Sequence, residues 1–197
     1  WSSDVCSSDL PQDILYTAHP HIGTDLLRDI VKRLREEIIA LGGEVRFSSC
    51  LQDMIIEQGE LRGIVVNDEE IPVDQLILSI GHSARDTYRL LHERGVTMHP
   101  KAFAIGARIE HPQTLINVAQ YKTLCGHPRL SVAEYRLTHT ASNGRGVYTF
   151  CMCPGGSVVP STSMEGGVVV NGMSEHARDR KNANSALLVQ IQIGRAH

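Results

Sequence analysis

The sequence predicts a mixed α/β (α+β) fold, and three observations predict it. Leu27, Ile30, Val31, Leu34, Ile38 and Leu41 recur at three- and four-residue steps, the spacing of one buried helical face. Residues 75–80 (QLILSI) form a nearly continuous apolar run, as expected of a strand covered on both faces. After Pro100 short apolar runs alternate with turn residues, the texture of a mostly antiparallel sheet.

The first helix starts at Thr24, whose hydroxyl after Gly23 suits an N-cap, because it accepts from a backbone N–H that the helix leaves unpaired. Gly42-Gly43 supplies a left-handed stop. Lys32, Arg33, Arg35, Glu36 and Glu37 fall largely off the apolar stripe. Strands are expected at 44–47, 54–57 and 61–66, the last two joined by Gln58-Gly59-Glu60 as a hairpin. Asp68-Glu69-Glu70 reads as a further polar turn. The run 75–80 ends at Gly81-His82-Ser83, where a second helix begins with Thr87, Leu90, Leu91 and Val96 on its inner side. Later apolar runs lie at 103–109, 146–152 and 168–172, and another strand at 187–191 follows Asn182. The change of texture near 98–102 marks a boundary between domains at 11–99 and 100–192.

The two ends read as one DNA segment on opposite strands. Val5-Cys6-Ser7-Ser8-Asp9 can be encoded by GTG TGC TCT TCC GAT, whose reverse complement, ATC GGA AGA GCA CAC, translates as Ile-Gly-Arg-Ala-His. That is the sequence of residues 193–197. Extension on the 5′ side as TGG AGT TCA GAC gives residues 1–4. The string resembles a sequencing-library adaptor. Residues 1–10 and 193–197 are therefore expected to be adaptor-like scars around a fragment running from about Pro11 to Gln192, and they are set aside from fold reasoning.

Without Asp4, Asp9 and Arg195 the net charge moves from −3 to −2. Such balance argues against a nucleic-acid platform, which carries a basic patch or stripe. No apolar run of membrane-spanning length occurs, so no membrane partner is expected. Cys50, Cys125, Cys151 and Cys153 are too few for a disulfide scaffold, so a reducing compartment and a cytoplasmic location are expected. About 180 residues suffice for one ordinary core. A fragment can nonetheless leave an unpaired sheet edge and an uncovered apolar face.

Two segments carry candidate chemistry. A buried strand ending at Gly81, followed by a helix, lets a ligand approach the backbone and offers N–H donors to an anion. A plain strand-to-helix turn has the same pattern. Residues 138–156 (THTASNGRGVYTFCMCPGG) bracket a strand with glycine turns. Pro154-Gly155-Gly156 after a strand forms a side-chain-free ledge on which a planar cofactor can lie, with His139, Asn143 and Arg145 close in sequence. Turns of ordinary β structure read the same way. Cys151 and Cys153, at i and i+2, are expected on one face of their strand. A metal there would need two further ligands, so burial or nearness to a cofactor is the simpler reading and no metal is assigned. His19 and His21 flank Pro20 in a turn. No G-x-G-x-x-G, Walker lysine motif or G-x-S-x-G is found.

Several segments together resemble the bacterial FAD-dependent dehydrogenases, a branch of the glutathione-reductase-like flavoproteins. They are HPHIGTDLL (19–27), LGGEVRF (41–47), LILSIGHSARDTYRLL (76–91), KAFAIGARIEHPQ (101–113), YRLTHTASNGRGVYTFCMCPGG (135–156) and VVVNGMSEHARDRKNANSALLV (168–189). The resemblance implies a partial FAD-binding Rossmann-like domain, with the FAD fingerprint upstream of Pro11, and a mostly antiparallel β substrate-side domain. It also implies FAD as cofactor, with NAD(P)H open as electron donor, and a small-molecule substrate. Gly81 and His82, with Pro154, Gly155 and Gly156, are the expected cofactor-binding residues. His82 or His139 would supply a hydrogen bond or proton, since histidine titrates near neutrality. No catalytic residue follows from the resemblance, and no oligomeric state. Two alternatives stand beside it: a flavoprotein-like binding module without redox turnover, and a thiol or metal protein centred on Cys151 and Cys153.

Overall fold

The computed structural model describes Tyr16 and residues 21–191, so His19 and the adaptor-like ends lie outside the described residues. The chain forms two units, one of residues 43–100 and one that joins the chain up to Gly42 to the chain from Lys101. Both helices and antiparallel sheets are present, giving an α+β architecture. Among the described residues no helix is long and apolar enough to cross a membrane.

The smaller unit is a three-stranded meander of β1 (Leu51–Glu57), β2 (Glu60–Val66) and β3 (Glu69–Pro72), followed by α2 (Arg85–Glu93). Gln58 and Gly59 both have positive φ, 53° and 83°, as a two-residue hairpin turn of matching twist requires. Asn67 and Asp68 do the same at 49° and 66°. The expected polar turn at 68–70 is thus shifted, and Glu69-Glu70 opens β3, paired with Val66 and Val65. On α2, Leu91 is buried and Thr87 and Leu90 are half-buried, while Val96 is exposed. Arg94 Nε donates to Asp53 Oδ1 at 2.6 Å, tying the end of α2 to β1. Residues 44–47 and 75–80 form no strand. The QLILSI run pairs with no strand among the described residues, and Ile77 is 90% exposed. A strand needs a neighbour for its backbone groups, and apolar composition alone does not supply one.

The larger unit is built on a four-stranded antiparallel sheet in the order β4-β9-β6-β5. Its strands are β4 (Phe103–Pro112), β5 (Thr138–Thr140), β6 (Gly146–Cys153) and β9 (Asn182–Ile191). A ribbon of β7 (Gly156–Pro160) and β8 (Val170–Ser174) follows β6. β4 and β9 pair along ten residues, from Phe103 opposite Ile191 to Pro112 opposite Asn182. The buried centre lies where β9 begins: Ala183, Asn184 and Ser185 are each 0% exposed. α3 (Gln113–Tyr121) starts directly after β4. The Gln113 side chain donates from Nε2 to Asn117 Oδ1 and Ala133 O, both at 2.8 Å, and accepts from Gly155 N at 2.8 Å. Its backbone N–H reaches Lys181 O at 3.0 Å.

α1 (Thr24–Ala40) belongs with this unit through its first turn. Thr24 is not the cap: it is already helical, and its hydroxyl donates to Ser174 O at 3.2 Å. The cap position is Gly23, which has no room for a side chain because the His176 backbone lies 2.2 Å from where its Cβ would stand. The stop is as expected, with Gly42 at φ 89°. Of the apolar stripe only Ile30 is buried, while Leu27, Val31, Leu34, Ile38 and Leu41 are exposed. The spacing makes an amphipathic helix, but it cannot provide the surface that covers it.

Two outcomes test this architecture. Gln113→Leu leaves buried Gly155 N and Ala133 O without partners, and is expected to lower stability by about 3 kcal/mol in urea unfolding. Asp25 accepts from His176 N at 2.8 Å, and this hydrogen bond holds its carboxyl below the usual range. Its contribution is complete above the ordinary carboxylate value near pH 4 and is lost as pH falls through the lower folded value. Asp25→Asn should therefore show a smaller fall in urea midpoint from about pH 7 to about pH 3 than the unchanged protein.

Candidate functional site

Residues 134–140 run along the outer edge of β6. Near its start they pair as β5, with Thr138 opposite Tyr148. At Thr149 the contact is held by Leu137 N donating to Thr149 Oγ1 at 2.8 Å and Thr149 N to Leu137 O at 2.9 Å. Beyond Thr149 the strand bulges. Phe150 faces Ala186 on β9, and the next pair is Cys153 with Asn184, so β6 carries one extra residue. Cys151 takes a left-handed φ of 50°. Bulges bend a strand and redirect its side chains, and they are frequent beside active sites. A cleft of ≈ 1160 Å³ lies here, with Tyr135, Arg136, His139, Tyr148, Phe150 and Cys151 among its walls.

Polar side chains also lie on β4 and β9, although Arg108, His111 and Asn184 are not among the residues that line the cleft. Arg108 on β4 is half-buried, and its Nη1 donates to Asn184 Oδ1 at 2.7 Å and to Cys151 O at 3.1 Å. Gly172 on β8 makes room for it: a Cβ there would lie 2.3 Å from that nitrogen and 2.2 Å from Asn184 Oδ1. Arg108 Nε and Asn184 Nδ2 are buried without hydrogen-bond partners. His111 Nε2 lies 2.8 Å from the Tyr135 hydroxyl, and His111 Nδ1 is buried and unpartnered. Burial pushes the Tyr135 hydroxyl above its ordinary pKa, opposed by a hydrogen bond from Ser185 and by the Arg108 charge.

The expected cofactor residues fall in both units. Gly81 and His82 belong to the smaller one. Gly81 has φ 69°, its carbonyl accepts from the Tyr88 hydroxyl at 2.6 Å, and nothing lies within 4 Å of the place a Cβ would take. His82 is exposed, 3.3 Å from Ser83 Oγ. Pro154, Gly155 and Gly156 are buried in the larger unit. Their side-chain-free space is filled by the chain itself. A Cβ on Gly155 would lie 1.7 Å from Arg178 O, and one on Gly156 2.4 Å from Met173 O. His139, exposed, lines the cleft.

The two cysteines do not share a face. The bulge between them breaks the alternation, leaving Cys151 exposed and Cys153 buried, both as free thiols. Burial, then the Cys151 thiol, raises the pKa of Cys153, whose Sγ donates to Cys151 O at 3.4 Å. Among the described residues no group of three or more His, Cys, Asp or Glu is placed to hold a metal ion.

Sequence reasoning missed Arg108, His111, Gln113 and Tyr135. One signal was available: Arg108 interrupts the apolar run 103–109, and a charge at a strand centre needs a partner. The other three gave none, because His111 meets Tyr135 and Gln113 meets Gly155 only in three dimensions.

Comparison with known proteins places these observations. Residues 102–196 match the family model described as "FAD-dependent protein, C-terminal domain-like". Over 189 residues, 95% of its length, the chain is 53% identical to an uncharacterised protein of Clostridium beijerinckii (strain ATCC 51743 / NCIMB 8052). It spans 36% of that relative's length. The family match supports a relation to FAD-dependent proteins, and it begins one residue inside the larger unit's second segment.

The thiol environments yield a direct check. In the native protein an alkylating reagent is expected to modify Cys151 and to spare Cys153 until the protein is unfolded, as read by mass spectrometry. Equal modification rates at the two positions would contradict the bulged arrangement.

Proposed function

We propose that the chain is part of an FAD-dependent oxidoreductase of the glutathione-reductase-like group, and that its larger unit forms the wall for a small substrate. The match of residues 102–196 to a C-terminal domain of FAD-dependent proteins carries this reading. The bulged cleft supports it, because it gathers polar and aromatic groups in one concave site, as small-molecule sites do.

The Rossmann-like part of the reading rests on two uncovered surfaces. The stripe of α1 and the run 75–80 have the composition of elements covered by neighbours, and both are exposed. In this proposal each surface is covered by further elements of the larger protein.

Gly81 fits a planar ring, since its open Cβ position lets a ring approach the backbone closely. His82 beside it offers a ring N–H to the flavin. Gly155 and Gly156 lack such space, and their role is to let the chain cross itself behind the cleft. FAD, when bound, supplies the hydride chemistry, while the protein orients the substrate and tunes the cofactor. The chain's own contribution is to bind the substrate in the cleft and present donors to it. NAD(P)H remains open as the source of electrons.

The full-length protein should purify yellow, take up FAD, and lose its colour anaerobically on addition of NAD(P)H or substrate. Gly81→Val should weaken FAD binding roughly tenfold or more, about 1.4 kcal/mol. A colourless protein that takes up no added FAD would overturn the proposal.

A further inference from the structure

We infer that β4 is a self-association edge: it pairs antiparallel with β4 of a second copy of this chain, across a two-fold axis at Ala107, and joins two four-stranded sheets into one. This goes beyond the oxidoreductase reading and does not rest on it.

β4 stands first in the order β4-β9-β6-β5, so only one of its sides is paired. Among the described residues the backbone of residues 103–112 has no hydrogen-bonding strand other than β9. The register with β9 runs unbroken from Phe103 to Pro112. Gln113 N donates to Lys181 O, which continues that register by one pair. Hydrogen-bonded and non-hydrogen-bonded pairs alternate in an antiparallel ladder, so Phe103, Ile105, Ala107, Ile109 and His111 turn their backbone groups to β9. Ala104, Gly106, Arg108 and Glu110 turn theirs outward.

Natural edge strands are short, bulged, covered, or guarded by lysine or proline. β4 has 10 residues, no bulge and no lysine, and its proline is the last residue. Phe103, Ile105 and Ile109 are 56%, 59% and 42% exposed. Arg108 does not guard the edge, since its Nη1 is tied back to Asn184 Oδ1 and Cys151 O.

A second copy is favoured because the strand complements itself. A two-fold axis perpendicular to the sheet keeps each face continuous, so only residues of one face lie opposite each other. Centred on Ala107, residues 103–111 of the two copies overlap. Ile105 then lies opposite Ile109 on both sides of the axis, and such β-branched pairs stabilise a sheet. Leu187 of β9, paired with Ala107 and exposed, extends the same apolar face. On the other face Gly106 lies opposite Arg108 and leaves room for its side chain, while Ala104 lies opposite Glu110. The outward backbone groups of each copy thus meet those of the other, and no like charges are opposed. An axis at Arg108 would set that charge against itself, and an axis at Gly106 would shorten the overlap to residues 103–109.

Light scattering of the full-length protein at about 50 μM should give the mass of a dimer, since an interface with a micromolar Kd is then mostly assembled. The register is read by cysteine cross-linking under mild oxidation. The unchanged protein sets the baseline for its exposed Cys50, Cys125 and Cys151. Ala107→Cys meets its own copy in a non-hydrogen-bonded pair, with Cα atoms about 4.5 Å apart, within reach of a disulfide. Ile105→Cys is displaced from its own copy by four residues, roughly 13 Å along the strand, and cannot bridge. Ala107→Cys should therefore cross-link roughly tenfold faster or more. Both positions are exposed, and circular dichroism checks that the variants fold. A monomer at about 50 μM would overturn the proposal, whether the edge is then bare or covered by another part of the longer chain. Equal cross-linking of the two variants would also overturn it, because the contact would lie elsewhere. Neither measurement reads the flavin, so a dimer that takes up no FAD would refute the oxidoreductase reading and leave this one standing.

Discussion

The side chain of Gln113 is the constraint on which the larger unit depends. One buried amide satisfies the N–H of Gly155, the carbonyl of Ala133 and the side chain of Asn117, while its backbone binds Lys181. These residues come from four stretches of chain that no single strand pairing connects. A buried amide with every hydrogen bond made fixes geometry, because each alternative leaves a donor or acceptor without water. The consequence reaches the cleft. Gly155 anchors the turn after β6, and Ala133 precedes the segment that bears Tyr135 and Arg136. The two walls are thereby held to a common point.

The bulge in β6 is the second constraint, and it links packing to chemistry. By inserting one residue it separates Cys151 from Cys153 and turns the Cys151 carbonyl toward Arg108. The absence of a side chain at Gly172 lets the guanidinium reach that position. Arg108 Nε and Asn184 Nδ2 are left there as buried donors without partners. Natural proteins keep such unsatisfied groups in few places, and those places call for an explanation.

Legibility in the sequence varied with the range of the interactions involved. α1, the β1–β2 hairpin and α2 were readable because their signals are local: a three- and four-residue apolar period, a Gln-Gly turn and a glycine stop. The strands after Pro100 were readable as alternating texture, though not their order. β3 was missed because Glu69-Glu70 looks like a turn, yet Asn67-Asp68 can take the positive φ that a two-residue turn needs. Residues 75–80 were misread as a paired strand because composition reports a wish for burial, while pairing depends on a neighbour. The same holds for the stripe of α1.

Among the candidate residues, Gly81 has nothing within 4 Å of the place a Cβ would take. Gly155 and Gly156 look the same in the sequence, but only the fold shows that their open space is filled by Arg178 and Met173. By itself the sequence determined α1, α2, the Gln58-Gly59 hairpin turn, the near-neutral charge and the flavoprotein resemblance, all of which depend on residues close along the chain. The tertiary structure decided the cleft, the bulge between the cysteines, and the meetings of Arg108 with Asn184 and of His111 with Tyr135. The physical reason is that a buried polar group is satisfied by whichever residues the fold brings within about 3 Å, and separation along the chain does not reveal which those are.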